Sequence, residues 1–192
     1  MRPCTILAAA MILSISTAAP ADAQLRRAFA GVSAGASSSQ LSASSNSDFR
    51  WGAMVGAFGA FRPTGGTITT VEANWVQKGG GNTRLEYIEI PLTVGVDGPL
   101  GDSGMRGRIY SGVGFGFRVA CSTDAVTLNC DNANSTEWTW PLGLQLGRRT
   151  DDGRLVAFDV RYSIGLSRVF SNRAPENRAW QFRLSYGLPI MR

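Results

Sequence analysis

Alternation dominates the chain from Val71 onward. Ile88, Ile90, Leu92, Val94 and Val96 interleave with Tyr87, Glu89, Pro91, Thr93 and Gly95, giving one apolar face and one mixed face, the two-residue period of a strand. The same period runs through Ile109, Val113, Phe115 and Phe117, through Trp138, Trp140, Leu142, Leu144 and Leu146, and through Val156, Phe158, Val160, Tyr162, Ile164 and Leu166. It recurs in Trp180, Phe182, Leu184, Tyr186 and Leu188, and more briefly in Val71, Ala73 and Trp75. Two further strands, at about Ala28 to Ser37 and Phe49 to Phe61, carry so many Gly and Ala residues that their faces are blurred. Met54 and Phe58 fall on one side of the second, Val55 and Phe61 on the other, so the pattern leaves its orientation open. No stretch after Gln24 sustains a 3.6-residue apolar period, so the expected elements are eight strands and no long helix.

The connections sort by parity. Those after even strands, Arg62 to Gly66, Asp97 to Gly104 and Arg148 to Gly153, are short and rich in Gly, Pro or Asp, as tight turns require. Those after odd strands, Ser38 to Asp48, Lys78 to Thr83, Ala120 to Thr136 and Ser171 to Asn177, are mostly longer. Short turns on one side and long loops on the other is the arrangement of an outer-membrane barrel with both termini in the periplasm. With that topology Trp51, Trp75, Trp138, Trp140 and Trp180 all fall toward the long-loop ends of their strands, where an aromatic belt at the membrane interface belongs. The expected fold is therefore all-β: a closed, eight-stranded, antiparallel, up-and-down transmembrane β-barrel.

The mixed faces carry charge. Glu72, Glu89, Glu137 and Asp159 share them with Arg108, Arg118, Arg161 and Arg183. An eight-stranded barrel is just wide enough for side chains to fill it, and buried charges must be paired, so these eight residues are expected to form a lumenal charge network. Lys78, the only lysine, sits beside a glycine run and is expected to be solvated. Pro91 cannot donate to the ladder and should mark a bulge.

The first residues differ from all of this. Met1 and Arg2 precede an apolar run from Ile6 to Ile15, and Ala21-Asp22-Ala23 places small residues where a signal peptidase reads them. The run is well short of the roughly 20 residues of a membrane helix. Residues 1–23 are thus expected to be a cleaved signal peptide and residues 24–192 the barrel domain. Cys4 then leaves with the signal, and Cys121 and Cys130 remain as a close pair in an oxidising compartment, where a disulfide is expected.

Composition narrows the chemistry more than the fold. Of 192 residues none is histidine, which removes the Ser/His/Asp and Cys/His nucleophile arrangements, an imidazole base and most zinc sites. Neither catalytic residues, a cofactor nor a metal is expected. The net charge of +5 comes largely from arginines at the short-turn rim, among them Arg106, Arg148, Arg149 and Arg154, where anionic headgroups would meet them. No clustered basic stripe suggests nucleic acid.

Several segments together resemble a known family. Gly56-Ala-Phe-Gly-Ala-Phe61, Val71-Glu-Ala-Asn-Trp75 running into Gln77-Lys78-Gly79, Tyr87-Ile-Glu-Ile-Pro-Leu92, Tyr110-Ser-Gly-Val-Gly114 and Arg161-Tyr-Ser-Ile-Gly-Leu166 are similar to the PorT-like outer-membrane β-barrel proteins, over nearly the whole mature chain. The strand ending in Gln-Lys-Gly followed by Tyr-Ile-Glu-Ile-Pro is the most specific part. The resemblance implies a small outer-membrane barrel; most members of the group have no established activity, and the name-giving one is linked to a secretion system.

The expected function is that of a small non-enzymatic barrel, filled inside, with a structural or surface-interaction role in the bacterial envelope. Its partners would be outer-membrane lipid, the barrel-assembly machinery during insertion and a protein met by the long loops, with the barrel itself a monomer. The competing readings are a soluble, secreted, lipocalin-like barrel that binds a small ligand, a secretion-system accessory, and an envelope enzyme, which the absent histidine disfavours.

Overall fold

A computed structural model describes residues 28–41, 49–63, 66–101, 104–123, 130–150, 152–169 and 176–190. The segment expected to be a signal peptide, residues 1–23, lies outside the described residues. Eight antiparallel strands close into one barrel in sequence order: β1 (Ala28–Leu41), β2 (Arg50–Phe61), β3 (Thr67–Gly80), β4 (Thr83–Pro99), β5 (Met105–Thr123), β6 (Thr136–Arg149), β7 (Leu155–Gly165) and β8 (Asn177–Pro189), with β8 returning to pair with β1. A single 3-10 turn, Cys130–Asn132, sits between β5 and β6. Each strand has 11 to 19 residues, enough for the about 9–11 that cross a bilayer.

The register fixes the tilt. Following partners from Phe61 through Thr69, Val94, Ser111, Leu142, Tyr162, Trp180 and Ser38 returns to β2 at Trp51, ten residues along the strand. Such a stagger inclines the strands steeply to the barrel axis, and with eight strands it leaves an interior that side chains can fill.

Alternation sets the two faces as expected in β3 to β8. Ile109, Leu144 and Leu184 point outward, at 69%, 57% and 64% exposure, while Glu72, Asp159 and Arg161 point inward and are buried. The structure also orients the blurred strands. In β1 Phe29, Ser33 and Ser37 face in and Val32 faces out; in β2 Met54 and Ala60 face in and Trp51, Val55 and Phe61 face out.

Two local expectations differ from what is observed. The connection placed at Lys78 to Thr83 is a turn of only Gly81 and Asn82, because β3 runs on to Gly80 and β4 begins at Thr83. Gly81 takes a φ of 53°, the left-handed value that the first central position of a two-residue hairpin demands. Pro91 produces no bulge: the β3–β4 register is the same at Val71↔Leu92 and Asn74↔Glu89 on either side of it. The irregularity lies higher, on the β4–β5 ladder between Glu86 and Tyr87, where Glu86 pairs with Ala120 and Tyr87 with Arg118, leaving Val119 as the extra residue. That one residue reverses the phase of β5, so Cys121 turns inward rather than out.

Candidate functional site

The lumen is filled in layers. At the end next to the short turns, Phe29, Phe58, Ala60 and Ile68 pack together, and the Arg149 guanidinium lies 4.5 Å from the centre of the Phe29 ring. Beside them Asp97 accepts from Arg62 and from Arg106, whose Nε is 2.8 Å away. Below the turn after β6, the Thr150 hydroxyl donates to Asp152, which also pairs with Arg154 at 2.7 Å; these partners hold its carboxyl below the usual aspartate range.

The inner charge layer follows. Arg183 of β8 reaches Glu72 with Nη1 at 2.5 Å and Asp159 with Nε at 2.9 Å, so one planar guanidinium spans two acids. Arg161 of β7 binds Glu72 with Nη2 at 2.5 Å and donates from Nε to the Tyr110 hydroxyl at 2.9 Å. Tyr110 in turn donates to Asp159, 2.7 Å from Oδ2. Asn74 donates to the second oxygen of Glu72 at 2.8 Å. Both oxygens of both carboxylates are thereby engaged. Arg108 lies 4.7 Å from the centre of the Tyr110 ring and donates to Thr93 at 3.2 Å. The ring of Tyr110 fits because residue 143 is a glycine: a Cβ there would come within 2.2 Å of the ring.

An outer charge layer lies nearer the long loops. Lys78, at 1% exposure, bridges Glu89 and Glu137, the latter at 3.2 Å, and its ammonium sits 5.7 Å from the centre of the Tyr87 ring. Gln181 donates to Glu89 at 3.4 Å. Above this layer an apolar cap of Leu41, Met54, Val76, Leu85, Tyr87, Ala133 and Val169 closes the mouth, with Cys121 packed against it. The Cys121–Cys130 disulfide forms and ties the 3-10 turn to β5.

Seven of the eight residues expected in the lumenal network are buried there: Glu72, Glu89, Arg108, Glu137, Asp159, Arg161 and Arg183. Arg118 is placed differently. It sits just before the bulge, half-buried, and donates to the carbonyls of Ala133 at 2.8 Å and Asn134 at 3.2 Å, so it fastens the loop that carries Ala133 into the mouth. Lys78, expected in solvent, takes the fourth cationic place. Its glycine-rich surroundings suggested a loop, yet it keeps the same parity as Glu72 and Asn74, and that parity is the signal that assigns it to the lumen.

Trp51, Trp138, Trp140 and Trp180 are exposed on the outer wall, and Trp75 is half-buried with its indole nitrogen donating to Glu86 at 3.1 Å. Each lies within six residues of the long-loop end of its strand. They join other aromatics: Trp138 stands 4.8 Å from Phe115 and Trp180 4.7 Å from Tyr162, centre to centre. Trp140 donates to the Ser111 hydroxyl at 2.8 Å.

Interior voids at the short-turn end measure about 20 Å³ each, room for about one water. Among the described residues no cluster of His, Cys, Asp and Glu could hold a metal ion.

Comparison with known proteins agrees on fold. No protein-family model matches the chain, and no curated protein matches it, so the PorT-like resemblance rests on the segments quoted above. Among solved structures, Neisserial surface protein A is 14% identical at a TM-score of 0.58, the match covering 85% of this chain and 99% of that one. The attachment invasion locus protein Ail of Yersinia pestis is 8% identical at 0.47, covering 84% and 99%. The outer membrane protein AlkL, solved in lipid bilayers, is 13% identical at 0.44, covering 91% and 96%. The chain has the closed eight-stranded antiparallel barrel fold of small outer-membrane proteins.

Proposed function

We propose that this protein is a non-enzymatic barrel of the bacterial outer membrane, with a structural or surface-contact role. The observation that carries the reading is the inversion of polarity across the wall: large aliphatic and aromatic side chains face outward around the barrel while, among the described residues, nine charged groups are buried inside it. Water would not tolerate the first arrangement as a soluble surface, and a bilayer rewards it. A lipocalin-like ligand binder would need the reverse, an apolar cup inside a polar exterior. The resemblance to PorT-like proteins supports the same fold and location, while the secretion link of that group has no counterpart among these residues.

In this reading the short turns and both termini face the periplasm, the signal peptide has been removed, the assembly machinery inserts the barrel, and it stands as a monomer. The loops after β1, β5 and β7 face outward and offer the contact surface. Absence of histidine and engagement of both oxygens of Glu72 and Asp159 argue against acid–base chemistry in the inner layer.

Cell fractionation tests the location: the protein should be recovered with outer membranes, and its mobility on a gel should shift on boiling. Recovery as a soluble periplasmic protein would overturn the proposal. Reconstituted in planar bilayers, it should conduct no measurable current, and a stable pore of porin size would refute the filled lumen.

A further inference from the structure

The outer wall has a groove near the short-turn rim whose origin is visible in the register. Two successive rows of outward-facing residues cross β4 to β7 there. In the upper row Val96, Ile109, Leu144 and Val160 pair in turn; in the lower row Gly98, Gly107, Leu146 and Phe158 do. Two adjacent places in the lower row thus lack side chains, and a Cβ built at Gly98 would meet nothing within 4 Å. Leu100 leans from the β4–β5 turn over Gly107, 3.1 Å from where its Cβ would be. The result is a cleft of about 590 Å³ with an almost wholly apolar lining, a size typical of ligand clefts.

One row further toward the rim stands Arg148, exposed, paired in register with Met105 on one side and Val156 on the other. Its neighbours at the rim are otherwise committed: Arg62 and Arg106 to Asp97, Arg154 to Asp152, Arg149 to the ring of Phe29. Among the described residues no carboxylate pairs with Arg148. An apolar cleft facing the hydrocarbon, with a guanidinium at its foot where the headgroups begin, is complementary to a molecule with an acyl chain above and an anionic group below.

We propose that this groove is a binding site for one anionic membrane phospholipid, an acyl chain lying over Gly98 and Gly107 and the phosphate held by Arg148. The inference rests on the membrane reading above and goes beyond it, since a smooth lipid-facing wall would satisfy that reading equally well.

Native mass spectrometry of the full chain, folded in detergent and titrated with dioleoylphosphatidylglycerol or dioleoylphosphatidylcholine, tests it. The wild type should take up one phosphatidylglycerol with about fivefold preference over phosphatidylcholine, the contribution of one arginine near an anionic headgroup. Arg148→Gln should erase the preference while leaving weak binding of both lipids. Gly98→Leu, which fills the groove from open space, should weaken both; Gly107→Leu is a second filler should the first disturb the wall. Millimolar inorganic phosphate should not displace the lipid, because the chain holds it. Equal uptake of the two lipids by the wild type, adducts indifferent to both leucine variants, or a dimer that Gly98→Leu abolishes would overturn the site. Heat-shifted mobility on a gel is read for every variant alongside: its retention shows that a negative result concerns the groove, and its loss in the wild type would overturn the membrane reading and the groove with it.

Discussion

The two charge layers inside the barrel solve the same problem with different parts. In the inner layer three arginines, Arg108, Arg161 and Arg183, face two acids, Glu72 and Asp159, and each acid oxygen has a donor. In the outer layer one lysine faces two acids, Glu89 and Glu137. Formal charge is therefore +1 in one layer and −1 in the other, and only the pair is neutral. The planar guanidinium lets Arg183 serve two carboxylates from different strands at once, whereas the ammonium of Lys78 is a point charge that both its partners must approach. The inner layer is consequently redundant and the outer one is not: Glu72 has two cationic partners, while Glu89 and Glu137 depend on the same atom.

That contrast predicts an order of damage. Lys78→Met removes the sole cation of the outer layer and leaves two buried carboxylates without a counter-charge, Glu89 keeping only the amide of Gln181, and should cost about 3–5 kcal/mol, the range for breaking a buried ion pair from one side. Urea unfolding of the barrel in lipid vesicles measures it. A loss under 1 kcal/mol would mean that Glu89 and Glu137 find other partners and that the layer is not built around Lys78. Adding Glu137→Leu to the same variant should recover part of the loss, since one stranded charge is then gone.

Arg161→Met attacks the redundant layer. Glu72 keeps Arg183 and Asn74, and Asp159 keeps Arg183 and Tyr110, so the cost should fall to about 2–3 kcal/mol, that of charge-assisted hydrogen bonds lost without stranding a carboxylate. The comparison would collapse if Arg161→Met proved more damaging than Lys78→Met in the same unfolding assay.

The same contrast explains what the sequence revealed. Strands β3 to β8 were legible because large apolar residues alternate with Arg, Glu and Gly, and that alternation placed the charged residues of the inner layer: Glu72, Arg108, Asp159, Arg161 and Arg183 share the parity of the inward face of their strands. The outer layer was harder to read because it lies where strands end. Lys78 precedes Gly79, Gly80 and Gly81, and composition argued for a loop where a two-residue turn and a continuing strand were formed. Arg118 has the right parity but stands one residue before a bulge, and beyond it the phase of β5 reverses, an event with no local mark in Arg118-Val-Ala-Cys121. Orientation of β1 and β2 was hidden for another reason: Gly, Ala and Ser fit either side of the wall, and only closure against β3 and β8 decides which side they take.

The smallest expected effect concerns how the inner layer is made to fit. Tyr110 enters it as the neutral member, donating to Asp159 and accepting from Arg161, and its ring occupies the space over Gly143. Gly143→Ala adds one methyl group, changes no charge and leaves every ion pair its partner, yet that methyl would overlap the phenol ring. The ring must swing away, and the hydroxyl loses its aim at Asp159. An overpacked interior of this kind costs about 1–2 kcal/mol when the neighbour can move. Combining Gly143→Ala with Tyr110→Phe should then cost little more than Tyr110→Phe together with the steric part alone, because the hydroxyl contacts are already lost in each. A fully additive pair in the double-mutant cycle would show that Tyr110 keeps its hydrogen bonds in the alanine variant, and that the glycine serves the wall rather than the charge layer it faces.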